Sequence, residues 1–313
     1  MLKFSMQKRL LFFACTGVLG ALLLVQCKYD AQMNTPKQYT IVVTTSIIAD
    51  SVRRIVGDHI TVYALMGPSV DPHLYRARES DVHKLAEADL VLYNGLHLEG
   101  KMGQVLEGMQ RFTRTVAVAQ NIDTTKLRIA DFATVYDPHI WFDVSLWIVV
   151  VRKIQQCVIA LDSVHEDIYK KNGDDYVAEL EQLHAYVQKR VNEIEQEKRI
   201  LITAHDAFGY FGASYGFEVV GLQGLSTDCD ISTKDIQQLA DYIVQHKIPT
   251  IFVETSIPQR SIAAVQNAVR ARGWNVTIGP ELYSDALGDG TTSASSYIGM
   301  VKYNVDAVVD SLM

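Results

Sequence analysis

The sequence predicts an α/β protein built as two lobes. Short β-branched runs alternate with helix-length stretches in the first part of the chain, the same alternation returns in the last part, and one long amphipathic pattern separates the two series. No sequence repeat is visible between the series, so the expectation rests on pattern alone.

In the first series, strand-like runs lie at Tyr39–Thr44, Ile60–Leu65, Asp89–Tyr93 and Val116–Ala119, with helix-like stretches near 46–56, 78–87 and 99–111. The second series has strands at Arg199–Thr203, Phe217–Gly221, Thr250–Val253 and Val276–Ile278, and helices near 206–214, 232–246, 259–272 and 294–312. Strands of this length between helices of 10–15 residues indicate parallel sheets. Between the series an apolar helix covers Ser145–Leu161, and a longer pattern runs from about Val164 to Gln196. Tyr176, Leu180, Leu183, Val187, Val191 and Ile194 recur at helical spacing on one face. Ser163 and Glu166 suit a capping box at its start, and Gly173 weakens its first turns. These patterns divide the chain into an export signal (1–27), a polar tether (28–37), a first lobe (38–163), a linking helix (164–197) and a second lobe (198–313).

The N-terminus places the body outside the cytoplasmic membrane. Lys3, Lys8 and Arg9 precede an apolar run from Leu10 to Val25, shorter than a spanning helix and suited to an export signal. The run ends in Leu24-Val25-Gln26-Cys27, which resembles a bacterial lipoprotein cleavage site with Cys27 as the lipid acceptor. Gln26 departs from the small residue usual before that cysteine, and a signal left uncleaved as a short anchor is the alternative. The net charge is −7, and removing the three positive charges of the signal leaves −10. An acidic body argues against nucleic acid as partner and is compatible with a cation. Of the four cysteines, Cys15 lies in the signal, Cys157 sits in an apolar helical pattern and reads as buried, and Cys229 remains. With no CxxC, a thiolate zinc cluster is not expected.

One tripeptide occurs twice: Asp71-Pro72-His73 and Asp137-Pro138-His139. Proline biases the preceding aspartate towards extended backbone, so each histidine is displayed on a loop. His205 follows the strand that opens the second series, and strand ends are where α/β folds place ligands. Asp285, in the loop after Val276–Ile278, is a candidate carboxylate. A lone histidine is more often a surface or packed residue than a ligand, but two such loops and a post-strand histidine in an acidic exported chain point to metal. Imidazole nitrogens suit zinc and its neighbours, and one carboxylate oxygen completes a four-coordinate set.

The segments LMGPSVDPHLY (65–75), ADLVLYNGLHLEGKMG (88–103), DPHIWFDVSLW (137–147), TAHDAFGYF (203–211), YGFEVVGLQGLST (215–227), IFVETSIP (251–258) and ELYSDALGD (281–289) resemble the TroA-like metal-binding proteins of ABC importers. The resemblance spans about residue 39 to the C-terminus. It implies two pseudo-symmetric α/β lobes joined by a single long backbone helix, with a metal ion held in the cleft by His73 and His139 from the first lobe and His205 and Asp285 from the second. It further implies zinc, or alternatively manganese, as the bound ion, an ABC importer permease in the membrane as partner, a monomer, and no catalytic activity. The chain lacks the long His-rich loop of zinc-dedicated relatives after His73, and it has His205 where manganese-dedicated relatives usually carry glutamate.

The remaining candidates have lesser roles. Asp71, Asp137, Asp206 and Glu254 are candidates for orienting the histidine rings. His97 follows a strand end and is a candidate neighbour of the cleft, and Asp289 competes with Asp285. His59, His83, His165, His184 and His246 read as solvated. A zinc hydrolase and a surface adhesin are the competing functions. A catalytic zinc keeps a position open for water, no HExxH is present, and no repeat or exposed aromatic run supports adhesion.

Overall fold

The computed structural model describes residues 37–129 and 135–313. The export signal, Cys27 and the tether up to residue 36 lie outside the described residues. Tyr39–Met313 form one compact unit.

The first lobe is a parallel sheet of β1 (Tyr39–Val43), β2 (Ile60–Ala64), β3 (Leu90–Tyr93) and β4 (Thr115–Ala117), in the order β2-β1-β3-β4. Its central strands, YTIVV and LVLY, are largely apolar because both faces are covered. Ile41, Val43, Leu90 and Leu92 face the larger core, whereas Val42 and Val91 face a smaller one. Helices α1 (Ser46–Val56), α2 (Glu79–Glu87) and α3 (Gly103–Met109) connect or flank the strands. Thr45 starts α1 by accepting the Ile48 N–H on its side chain. The helix expected over 99–111 is divided: a 3-10 turn at Gly100–Met102 precedes α3.

Two helices follow, the apolar α4 (Val144–Leu161) and the long amphipathic α5 (Glu166–Val191). The 26 residues of α5 span about 39 Å at 1.5 Å per residue. Its start differs from the expected capping box. Asp162, not Ser163, supplies the cap, accepting the Val164 N–H at 3.2 Å above a 3-10 turn at Ser163–His165. Gly173 does not break α5, because it admits a neighbour: a Cβ there would lie 2.3 Å from Gln155 Nε2. Gln155, from α4, uses that opening to donate to the carbonyls of Tyr169 (3.2 Å) and Lys170 (3.0 Å). The helix stops at Val191, short of Gln196, although Ile194 still packs into the core.

The second lobe contains β5 (Ile200–His205), β6 (Glu218–Gln223), β7 (Thr250–Ile251) and β8 (Thr277–Ile278), with α6 (Gly209–Tyr215), α7 (Thr233–His246), α8 (Arg260–Ala271) and α9 (Tyr297–Leu312). β5 pairs with β6 and β7 with β8, both parallel. The Phe252 N–H donates to the Ile202 carbonyl at 2.9 Å and sets β7 beside β5. The resulting order, β6-β5-β7-β8, repeats that of the first lobe. This shared order is the pseudo-symmetry, carried by topology and not by sequence repeat. α6 begins three residues later than expected, and α9 begins at Tyr297 because Ser296 caps it, accepting the Gly299 N–H at 3.1 Å. Cys157 is buried in α4 and Cys229 is exposed, and both thiols are free.

Candidate metal centre

His73 and His139 are set by the same local device. In each Asp-Pro-His turn the aspartate side chain accepts the backbone N–H of the histidine two residues on, at 2.8 Å from Asp71 and 2.9 Å from Asp137. The second turn goes further, because Asp137 Oδ1 also lies 2.8 Å from His139 Nδ1. That contact leaves Nε2 as the free donor atom. His205 is the last residue of β5, and Glu254 follows β7. Glu254 accepts the His205 backbone N–H at 2.9 Å and meets its ring Nδ1 at 2.5 Å. Asp285 lies in the loop after β8.

These four side chains converge although they come from separate turns. Their donor atoms all lie within 4.8 Å of one another, and all four residues are buried. His73 Nε2 is 3.2 Å from His139 Nε2 and 3.9 Å from Asp285 Oδ2. Asp285 Oδ1 is 3.6 Å from His139 Nε2, and Oδ2 is 3.5 Å from His205 Nε2. Donors placed 2.0–2.1 Å around a tetrahedral ion stand roughly 3.3–3.4 Å apart, so the spacing suits a divalent ion with little adjustment. His205 Nε2 and Asp285 Oδ1 are buried and have no hydrogen-bond partner among the described residues. Interior polar atoms are normally satisfied, and a cation among the four donors satisfies both.

The electrostatics divide the histidines. Burial pulls the His73 imidazole down to about 3, against the attraction of Asp285. Burial also opposes the cation of His205, but the Glu254 and Asp285 carboxylates outweigh it and hold that ring well above the ordinary histidine value. Burial would raise Asp285, yet His205, and after it His73 and His139, keep its carboxyl well below the usual range. The protein therefore keeps one carboxylate charged and one imidazole neutral in a dry site.

The other candidates sort by geometry. Asp71 holds the His73 backbone through Oδ1, and its Oδ2 accepts a hydrogen bond from Thr227 at 2.6 Å. Asp206 does not orient His205, whose Nδ1 is taken by Glu254; burial and then Asp137 push its carboxyl above the usual range. Asp289 is exposed and closes a turn on Thr291. His97 is exposed and lines a separate cavity of about 480 Å³. His83 is exposed as expected, but His184 is partnered, by Tyr215 OH and Gln188, and His165 by Asp162.

Sequence reasoning gave no role to Glu99. It is buried and accepts from Thr44 Oγ1 and the Asn94 N–H, each at 2.7 Å, and from the Gly95 N–H at 3.2 Å. Asn94 in turn donates to the Pro138 carbonyl at 3.0 Å. Glu99 thus fixes the end of β3 against the turn that bears His139. The left-handed backbone of Gly95, Leu96 and His97 is part of this fold-back.

The family described as ZnuA, zinc-uptake complex component A, periplasmic, matches residues 41–311. The chain is 42% identical over 302 residues to the manganese-binding lipoprotein MntA of Bacillus subtilis, covering 95% of this chain and 99% of that protein. It is 45% identical over 272 residues to the zinc-binding protein TroA of Treponema pallidum, covering 87% of this chain and 88% of that one. The solved structure of periplasmic zinc-binding TroA from Treponema pallidum superimposes with a TM-score of 0.87 at 44% identity, over 88% of this chain and 99% of that chain.

Proposed function

The chain belongs to the ZnuA family of periplasmic zinc-uptake components, and from that premise we propose that it is an extracytoplasmic receptor that captures zinc in a cleft between its lobes and delivers it to an ABC-type importer. Manganese is the alternative cargo, since one relative is named for each metal. We assign the ion to His73, His139, His205 and Asp285. The observation that carries the reading is the convergence of these buried donors, within 4.8 Å, from turns far apart in the chain. Four protein donors fill the tetrahedral shell, whereas a catalytic zinc leaves one position to water, which favours a receptor over a hydrolase. We place the lobes at 38–163 and 198–313 with 164–197 as the linking segment, a division supported by the matching spatial order of the strands in the two halves. We further propose that the receptor is monomeric, that its partner is the importer's permease, and that Cys27 carries a lipid anchor. Metal analysis of protein purified without added metal tests the cargo, followed by competition between zinc and manganese. Zinc-binding isotherms of His73→Ala, His139→Ala, His205→Ala and Asp285→Ala test the site. Wild-type affinity in any of them removes that residue from it.

A further inference from the structure

Trp141 stands two residues after His139, on the 3-10 turn Ile140–Phe142, and is buried. Its indole Nε1–H donates to the carbonyl of Ser284 at 2.8 Å, the peptide that leads into Asp285. The same ring meets His139 edge-on, with centroids 5.3 Å apart and planes at 72°. The Trp141 backbone carbonyl accepts the Tyr297 hydroxyl at 2.7 Å, which anchors the turn that carries the indole. A single side chain therefore touches one ligand of the first lobe and the backbone that carries the carboxylate of the second. A few residues on, the Leu287 N–H donates to Ser46 Oγ at 2.9 Å, at the start of α1. The Asp285 loop is thus held by the first lobe on both sides of the carboxylate. Outside the ligand set, that carboxylate meets Ser256 Oγ at 3.5 Å, longer than an ordinary hydrogen bond. Backbone placement therefore decides where its oxygens sit.

We propose that Trp141 is a positioning residue for metal selection: its N–H sets the Asp285 backbone at a fixed distance from His139, so the carboxylate stays at the close spacing that a compact tetrahedral ion takes. The inference rests on the reading that these four residues hold the metal. Zinc accepts that compact set, while manganese favours more oxygen donors and a larger shell. When the indole N–H is lost, the buried Ser284 carbonyl loses its donor and the loop relaxes. The carboxylate can then draw back from the histidines and leave room for a larger shell. Zinc binding weakens and manganese binding suffers less.

The test compares wild type, Trp141→Phe and Trp147→Phe. Trp147 is an equally buried indole whose Nε1–H donates to Ser51 Oγ at 3.2 Å, away from the ligands. Zinc and manganese constants are measured by chelator competition, and the ligand-field spectrum of the Co²⁺ form reports coordination number. We expect Trp141→Phe to bind zinc about fivefold to tenfold more weakly, the loss of one hydrogen bond. Its zinc-to-manganese ratio should drop and its Co²⁺ spectrum move from four- towards five-coordinate, while Trp147→Phe changes neither. An unchanged ratio and spectrum in Trp141→Phe overturns the proposal, and so do equal changes in both variants. If Trp141→Phe does not fold, the benzothiophene analogue of tryptophan at position 141 removes the N–H while keeping the ring, with the same outcomes decisive. Failure of wild type to bind any of the three metals would instead refute the metal reading itself.

Discussion

Glu254 grips His205 twice, through the backbone N–H at 2.9 Å and ring Nδ1 at 2.5 Å. Both contacts turn Nε2 towards Asp285, 3.5 Å away. Replacing Glu254 by Gln keeps an oxygen for the backbone and removes the negative charge from the ring. Loss of such a partner typically costs 10–100-fold in metal affinity. Glu254→Gln is therefore expected to bind zinc at least about tenfold more weakly. Chelator competition at fixed pH checks it, and wild-type affinity would show that the carboxylate charge does not support the ligand.

With His205 as a proposed ligand, its proton must leave when metal arrives. Its ring is held well above the ordinary value, after burial is outweighed by Glu254 and Asp285, whereas His73 is held down to about 3. Zinc affinity is therefore expected to rise through neutral pH by about tenfold per unit, with about one proton released per ion. Titration calorimetry in buffers of different ionisation enthalpy measures the proton. His205→Ala should flatten the slope, and an unchanged slope in that variant would assign the proton elsewhere.

The same two rings act in opposite directions on the metal-free protein. A raised imidazole adds stability that is full below about pH 6.5 and is lost as pH rises through its folded value. The lowered His73 adds stability that is present above about 6.5 and is lost as pH falls towards its folded value near 3. Metal-free His73→Ala should therefore lose less stability than wild type on acidification from pH 7 to 5. Melting curves across that interval would show it, and a parallel fall in both proteins would count against a buried neutral His73.

Much of this was legible in the sequence. The Asp-Pro-His turns declared themselves because proline and aspartate act locally, and the strand-then-histidine order placed His205. The positions of β1 to β3 followed from their short β-branched runs, whereas their pairing order came only with the structure. What stayed hidden depends on contacts between distant segments. Gly173 looked like a weakness in α5 because the Gln155 side chain that fills its opening comes from another helix. Glu99 and Trp141 carry no signature of their roles, since Thr44 lies 55 residues from Glu99 and the Ser284 carbonyl lies 143 residues from Trp141. Asp206 and Glu254 stood as equal candidates for orienting a histidine ring, and the choice between them at His205 falls to Glu254, 49 residues away.

Gly173→Ala sets two effects against each other. Alanine gains roughly 1 kcal/mol of helix propensity. The new Cβ displaces Gln155 Nε2 and breaks its bonds to Tyr169 and Lys170, each worth about 0.5–1.5 kcal/mol, and leaves the buried Gln155 amide without its acceptors. The variant should be destabilised by about 1–2 kcal/mol, and Gln155→Ala in the same chain should add little further. Urea unfolding of the three proteins checks this, and a stabilised Gly173→Ala would mean that Gln155 finds new partners freely.

Thr227 and Asp71 join the lobes beside the ligands: the hydroxyl donates to Asp71 Oδ2 at 2.6 Å, while Oδ1 holds the His73 N–H. Lys101 pairs with Asp228 on the same loop. On the proposed reading, metal release separates these contacts, while the four donor side chains do not depend on the Thr227 hydroxyl. Thr227→Val should therefore speed zinc loss to an excess of chelator by several-fold, as expected for one hydrogen bond, with a smaller change in the melting temperature of the metal-free protein. Stopped-flow measurement reads the rate, and a rate equal to wild type would place the barrier elsewhere.

Metal choice is the sharpest test of the ligand set. Three imidazoles and a carboxylate favour zinc over manganese, which prefers harder oxygen donors. His205→Glu exchanges a nitrogen donor for oxygen at the position where Glu254 now stabilises a cation. The new carboxylate faces Glu254 as a like charge, so both metals are expected to bind less tightly than in wild type. The ratio is therefore the informative quantity, because the repulsion acts on both constants while the donor change acts on their difference. The zinc-to-manganese affinity ratio should fall in His205→Glu, measured by competition with one chelator at one pH. If the ratio holds while both constants drop, the identity of the donor at 205 does not set selectivity. Control would then lie with the placement of Asp285 against His139, now 3.6 Å apart.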